Sequence, residues 1–261
     1  MTLLVFRALW GMTGPVSEQI EQIAAAGYDG FEIWPSQFQI SRQELMSIAR
    51  QNGMKLIVGA QVANQAEIEP TLKQLAEYEP TRINLHSGRD SMNRDEGCAF
   101  FEEALRVEAQ IGLTVGHETH RGRILFTPWD TAFYLQQFDK LHLTADYSHW
   151  VNVCERLPID EKSAVEFANQ RAVHIHGRVG YEEGPQVPDP SAPEYTAQLA
   201  WHEAQWKQIR EAHTRNGKDT LTFTPEYGPP SYLHTLPHTN VPVADLWQIC
   251  LWAAHRAREI L

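Results

Sequence analysis

The sequence predicts a single-domain α/β fold, a (β/α)8 TIM barrel, on three observations. Eight strand-like segments alternate with eight helical patterns from one end of the chain to the other. The length of 261 residues suits one closed barrel, which typically takes about 250. No G-x-G-x-x-G follows the first strand, so the structural rival, an open doubly wound sheet, lacks its phosphate loop.

The strands are drawn, in order, at Leu3–Trp10, Gly30–Trp34, Lys55–Val62, Arg82–His86, Leu113–Glu118, Leu141–Asp146, Ala172–His176 and Leu221–Glu226. The stretches that end in Glu118, Asp146, His176 and Glu226 begin apolar, turn polar and then break into loop residues. The helices between them begin with Val16–Gly27, where Ile20, Ile23 and Ala24 share a face and Gly27 suits the position just past the end. Ser41–Gly53 opens on Ser41 with Glu44 three residues later, the pattern of a capping box. Asn64–Tyr78, Asp95–Gly112, Pro128–Phe138, Glu161–Asn169, Ala197–Gly217 and Val243–Leu261 complete the set. The last is rich in Trp and Leu, which suits packing against the barrel or against a second copy, so a homo-oligomer is allowed. A proline-rich loop, Tyr181–Pro193 within a longer connection over 181–196, follows the seventh strand. It reads either as a long connection or as a cover over substrate.

Residues two apart in a strand share a face. Val173 and Ile175 therefore oppose His174 and His176, while Ile83 and Leu85 oppose Arg82, Asn84 and His86. Phe31 and Ile33 oppose Glu32 and Trp34, and Leu221 and Phe223 oppose Thr222, Thr224 and Glu226. The apolar sets pack under helices. The polar sets line the lumen and are most ionisable at the C-terminal strand ends, where barrel enzymes work. His117 should face away from the lumen, and His174 should be a satisfied lumen residue below His176.

Four of those strand ends carry Glu118, Asp146, His176 and Glu226. Three carboxylates and an imidazole meeting at one point repel unless a cation neutralises them, and the set suits Mn²⁺, Mg²⁺ or Co²⁺ and tolerates Zn²⁺. The competing reading is a salt-bridge network, for which Arg82, Arg121, Arg123 and Arg178 are near in sequence. His86, His120 and His149 belong to the same mouth, and Arg178 could clamp a substrate hydroxyl, carboxylate or phosphate. Trp10, Trp34 and Trp150 end or follow strands and are candidates for the pocket wall.

Composition narrows the partners. The net charge of −11 opposes nucleic acid and leaves a small polar metabolite. Cys98, Cys154 and Cys250 form no CxxC pair and lie outside the strand-end set, which suits reduced thiols in a cytoplasmic protein and argues against a thiol nucleophile. MTLLVFRALWGM reads as a first strand, not a signal peptide, and no apolar stretch approaches the roughly 20 residues of a membrane helix. G-x-S-x-G, HExxH and P-loop motifs are absent.

Glu118, the Asp146-x-x-His149 step, the His174-x-His176 pair and Glu226, with AAAGYDGFEI, HIHGR and TPEYG in the expected order, resemble the xylose-isomerase-like TIM-barrel superfamily, in its sugar epimerase and isomerase branch. The likeness spans nearly the whole chain. It implies one divalent metal held by Glu118, Asp146, His176 and Glu226, with Glu118 and Glu226 as the catalytic acid/base pair. It also implies a sugar-like substrate contacted by His149. The branch places a substrate-binding arginine several residues beyond the ligand histidine, whereas Arg178 follows His176 by two. The implied reaction is epimerisation or isomerisation through proton abstraction and an enediolate. The alternatives are a dehydratase of an inosose- or dehydroshikimate-like substrate, a non-enzymatic sugar-binding barrel and an abasic-site endonuclease. The last would need extra zinc ligands after the seventh strand, where Tyr181–Pro193 has no histidine.

Overall fold

The structure, a computed structural model, describes all 261 residues, Met1–Leu261. Eight parallel strands close into a barrel in sequence order: β1 Thr2–Ala8, β2 Gly30–Ile33, β3 Lys55–Val62, β4 Arg82–Ser87, β5 Val115–Glu118, β6 Leu143–Ala145, β7 Ala172–His176 and β8 Thr220–Thr224. Closure comes from β1 pairing with β8, Thr2 opposite Thr220. The predicted (β/α)8 fold is therefore the observed one. Nine α-helices surround it: α1 Val16–Ala25, α2 Arg42–Gln51, α3 Ile68–Ala76, α4 Arg94–Ile111, α5 Pro128–Gln137, α6 Ser148–Cys154, α7 Lys162–Arg171, α8 Thr196–Arg215 and α9 Leu246–Ile260. None is long and apolar enough to cross a membrane.

The core lies between strands and helices. Outward-facing Phe31, Ile33, Ile83, Leu85, Val115, Leu143, Ile175, Leu221 and Phe223 are buried there with Ile20, Ile23, Leu45, Leu72, Phe101 and Leu135 from the helices. Each such side chain contributes roughly 1.5–3 kcal/mol by leaving water. The lumen is polar where many barrels hold branched aliphatics. His174 Nδ1 lies 2.8 Å from Thr222 Oγ1, Arg82 donates to the same oxygen at 3.0 Å, and Thr224 donates to Glu32 at 2.7 Å. Buried polar groups are tolerated because they satisfy one another. His117 points outward as its parity requires. It sits between Ser87 (2.6 Å) and Glu108 (2.8 Å) and against the Phe101 ring, joining β4 and β5 to α4.

Several boundaries differ from the sequence reading. Strands β5, β6 and β8 are shorter than drawn, so Asp146 and Glu226 stand just beyond their strands. β6 carries a register shift between Leu143 and Thr144, which bends its end. Asn64–Tyr78 splits into a 3-10 turn, Gln65–Glu67, and α3. Ser41 accepts from the Glu44 amide, but the complete capping box is at Asn93 and Glu96. α9 starts at Leu246, three residues later than drawn, because Asp245 caps the Trp247 and Gln248 amides. The short helix α6 was not foreseen. Trp150 within it is fully buried, stacked on Tyr147 at 4.4 Å, and belongs to the core instead of the pocket wall. The three cysteines are free thiols.

Candidate metal centre and active site

The four predicted ligands converge. Glu118, Asp146, His176 and Glu226 each present a donor atom, and these atoms lie within 4.8 Å of one another. Donors at about 2.1 Å from a common hard cation would span at most about 4.2 Å, so little adjustment is needed. His176 organises the set. Its Nε2 lies 3.1 and 3.2 Å from the two oxygens of Glu32, which turns Nδ1 toward Glu226 (3.1 Å), Glu118 (3.5 Å) and Asp146 (4.0 Å). Nδ1 is buried and has no hydrogen-bond partner, and Glu118 Oε1 is also buried and unpartnered. Two orphaned donor atoms in one acidic quartet fit a bound divalent cation.

Electrostatics support the same reading. Burial alone would lower the His176 pKa, but Glu226, Glu32 and Glu118 hold it well above the ordinary imidazole value. Burial would raise Glu118 and Glu32, yet His86 and His176 hold the first, and His176 and His174 the second, well below the usual carboxylate range. Asp146 is pushed up to about 7, first by burial and then by Glu226 and Glu118, against relief from Arg178. Of four buried or half-buried carboxylates, Asp146 and Glu226 face one guanidinium, that of Arg178, while Glu32 and Glu118 face only histidines. A resident divalent ion would balance this excess of negative charge.

Local sequence explains how the side chains arrive there. Gly177 N donates to Thr224 O at 2.7 Å, and a Cβ at Gly177 would fall 1.8 Å from the Phe223 ring. Only glycine lets the chain leave β7 this close to β8, which brings Arg178 over the site. Asp146 is held by Thr119 Oγ1, which accepts its amide at 2.9 Å, and by Ser148, whose amide donates to Oδ1 at 3.2 Å. Gly228 plays a similar part for the wall: a Cβ there would meet the Trp10 ring at 2.1 Å.

Beside the quartet lies a cavity of about 300 Å³, at the small end of the range for ligand pockets. Trp10, Trp34, Phe38 and Tyr232 supply its apolar walls, and Glu32, Gln61, His86, Glu118, His120, Arg123, Arg178 and Glu226 its polar ones. Of the sequence candidates for substrate, Trp10, His86, His120 and Arg178 line it. His86 Nε2 contacts Glu118 Oε2 at 2.9 Å, and its ring is 4.2 Å from that of His120. Burial and the neighbouring His86 push His120 down to about 3, so it is neutral. His149 does not reach the cavity. It is fully buried behind Arg178, accepting from that guanidinium at 2.7 Å, and burial holds it neutral. Arg178 is itself committed to Asp146, Glu226, Ser148 and His149, so it orients carboxylates as much as it faces the cavity.

No residue of Tyr181–Pro193 lines the cavity. Gln186 instead exchanges two hydrogen bonds with the Gly228 backbone (2.7 and 3.1 Å), tying the loop to the segment after β8. Glu32, Phe38, Gln61 and Tyr232 were not singled out from sequence. Glu32 had a signal in its lumen parity. Tyr232, between Arg121 and Arg178 with the cations 5.1 and 5.0 Å from its ring, sits in a proline-containing loop that offers no pattern.

No family model and no curated protein matches the chain. Solved structures do. An apo 3-keto-D-glucoside 4-epimerase from E. coli superposes with TM-score 0.63 at 15% identity, covering 99% of this chain and all of that one. A xylose isomerase domain protein from Planctomyces limnophilus gives 0.59 at 14%, covering 99% and 95%. A probable 3-DHS dehydratase from Bacillus anthracis gives 0.58 at 12%, covering 87% and 94%. At these identities the likeness shows the fold alone, a (β/α)8 barrel shared with structures described as a sugar epimerase, a xylose isomerase domain protein and a dehydratase.

Proposed function

We propose that this protein is a divalent-metal-dependent epimerase or isomerase of a sugar or sugar derivative. The observation that carries the reading is the unpartnered Nδ1 of His176, buried among three carboxylates at the C-terminal mouth of a closed barrel and beside a metabolite-sized cavity. Glu118, Asp146, His176 and Glu226 would hold the ion. When bound, it would polarise a substrate carbonyl and acidify the neighbouring C–H.

The chain's own residues divide the remaining work. Glu226 is the most accessible of the quartet, 12% exposed against 0–1% for the others, and it lines the cavity, so it is the base that takes the proton. Glu118 is held by Asn84 (2.7 Å) and His86 (2.9 Å); ionised at rest, it takes a proton from water and delivers it from its side of the substrate. Arg178 stays charged, because Asp146 and Glu226 override the effect of burial, and it offers positive charge to the developing enediolate. The faces of Trp10, Trp34 and Tyr232 suit the C–H surfaces of a sugar, and His86 and neutral His120 suit its hydroxyls.

The test is solvent deuterium exchange into a panel of ketoses and keto-sugars with Mn²⁺ present. Glu226→Gln should lower exchange by about 10³-fold, the scale of a lost general base, with little change in unfolding temperature. Full exchange in that variant contradicts the assignment. A new conjugated chromophore in the same assay would reassign the chain to water elimination.

A further inference from the structure

We infer that the substrate carries an anionic group, a carboxylate or a phosphate, and that Arg123 with Gln61 recognises it at the outer edge of the cavity. This rests on the sugar reading above and names the class of sugar.

Two arginines line the cavity, and they differ in what they touch. Arg178 is 1% exposed and is paired with Asp146 and Glu226 at the reacting centre. Arg123 follows β5 by five residues and is half-buried. It forms no ion pair. Its guanidinium donates to the Gln61 side-chain oxygen at 2.8 Å and to the Gly88 carbonyl at 3.4 Å, and its buried Nε has no partner. Both acceptors are neutral. They hold the guanidinium in place without cancelling its charge, which leaves a positioned fork donor beside a pocket. Arg123 makes no ion pair with the acidic quartet, which Arg178 already faces and which would hold a divalent cation. A cation fixed by amide and carbonyl oxygens at the rim of a metabolite pocket is suited to bidentate recognition of a carboxylate or phosphate. The anion would sit toward the β3, β4 and β5 side, where Gln61, Gly88 and Arg123 meet. That leaves the uncharged part of the sugar against Trp10, Trp34 and Tyr232.

Calorimetric titration of the Mn²⁺-supplemented protein with glucose, glucuronate and glucose 6-phosphate tests this without requiring turnover. A charge-assisted pair predicts that at least one anion binds about tenfold or more tighter than glucose. The tighter of the two anions identifies the group, carboxylate or phosphate. Arg123→Gln should abolish the preference while leaving glucose binding within about twofold, and Arg123→Lys should retain part of it. Equal affinity for all three sugars, binding of neither anion, or a preference that survives Arg123→Gln each overturns the proposal. Failure of the deuterium-exchange assay with anion preference intact would instead strike the catalytic reading alone.

Discussion

Two histidines, His117 on β5 and His176 on β7, are both fully buried and both flanked by a carboxylate, yet they do opposite things. His117 faces outward, and both ring nitrogens are satisfied, one by Ser87 and one by Glu108, with the Phe101 ring packed alongside. It resembles a Ser-His-Glu relay, but its members satisfy one another and none of the three lines the cavity beside the quartet. His176 faces inward. Glu32 satisfies one nitrogen, while the other lies among three carboxylates and makes no hydrogen bond. The difference teaches that a buried polar cluster signals chemistry through what it leaves unsatisfied and what space it opens on, not through its residue types.

The largest effect that could break this contrast is at the ligands. His176→Gln should remove metal binding and with it more than about 100-fold of Mn²⁺ affinity by equilibrium dialysis, the scale of losing a ligand together with its support. His117→Gln should leave Mn²⁺ affinity unchanged. If the two variants behave alike, the distinction between the histidines fails. Next comes Glu32, which fixes Nε2 as the protonated nitrogen of His176. Glu32→Gln should weaken Mn²⁺ binding by about 10–100-fold while the far-ultraviolet dichroism stays native. Unchanged affinity would reduce Glu32 to lumen filler.

pH gives a smaller effect. In the metal-free protein Asp146 is raised to about 7 and His176 well above its ordinary value, so both retain protons in the neutral range that a cation must displace. Mn²⁺ affinity should therefore rise with pH from 6 to 8, by up to about tenfold per unit for each proton released, with protons appearing in unbuffered solution. A flat profile would mean that the quartet is not the binding site. The smallest effect belongs to the outer cluster: Glu108→Gln should cost about 1–3 kcal/mol of stability, read by denaturant unfolding, and nothing in metal affinity.

Much of this was legible along the chain. Alternation put His174 and His176 on one face and Ile175 on the other, and parallel closure did the rest, so four residues spread from Glu118 to Glu226 could be seen to meet. Glu32 shared the right parity, but its importance lies in pairing with His174, His176 and Thr224, which stand 142, 144 and 192 residues away. No local pattern encodes such a pairing. His149 and Trp150 looked pocket-bound because α6, only seven residues long, leaves too short a period to see. That helix turns both side chains inward. The proline-rich segment is tied down by distant partners, Gln186 to the Gly228 backbone and Tyr181 to His234, which no local pattern encodes.

A crystal of the wild-type protein soaked in Mn²⁺, with data collected at the manganese absorption edge, addresses the metal directly. One anomalous peak per chain should lie between Glu118, Asp146, His176 Nδ1 and Glu226, at roughly 2.0–2.3 Å from each donor. No peak there, or a peak elsewhere with the quartet bridged only by Arg178, would contradict it.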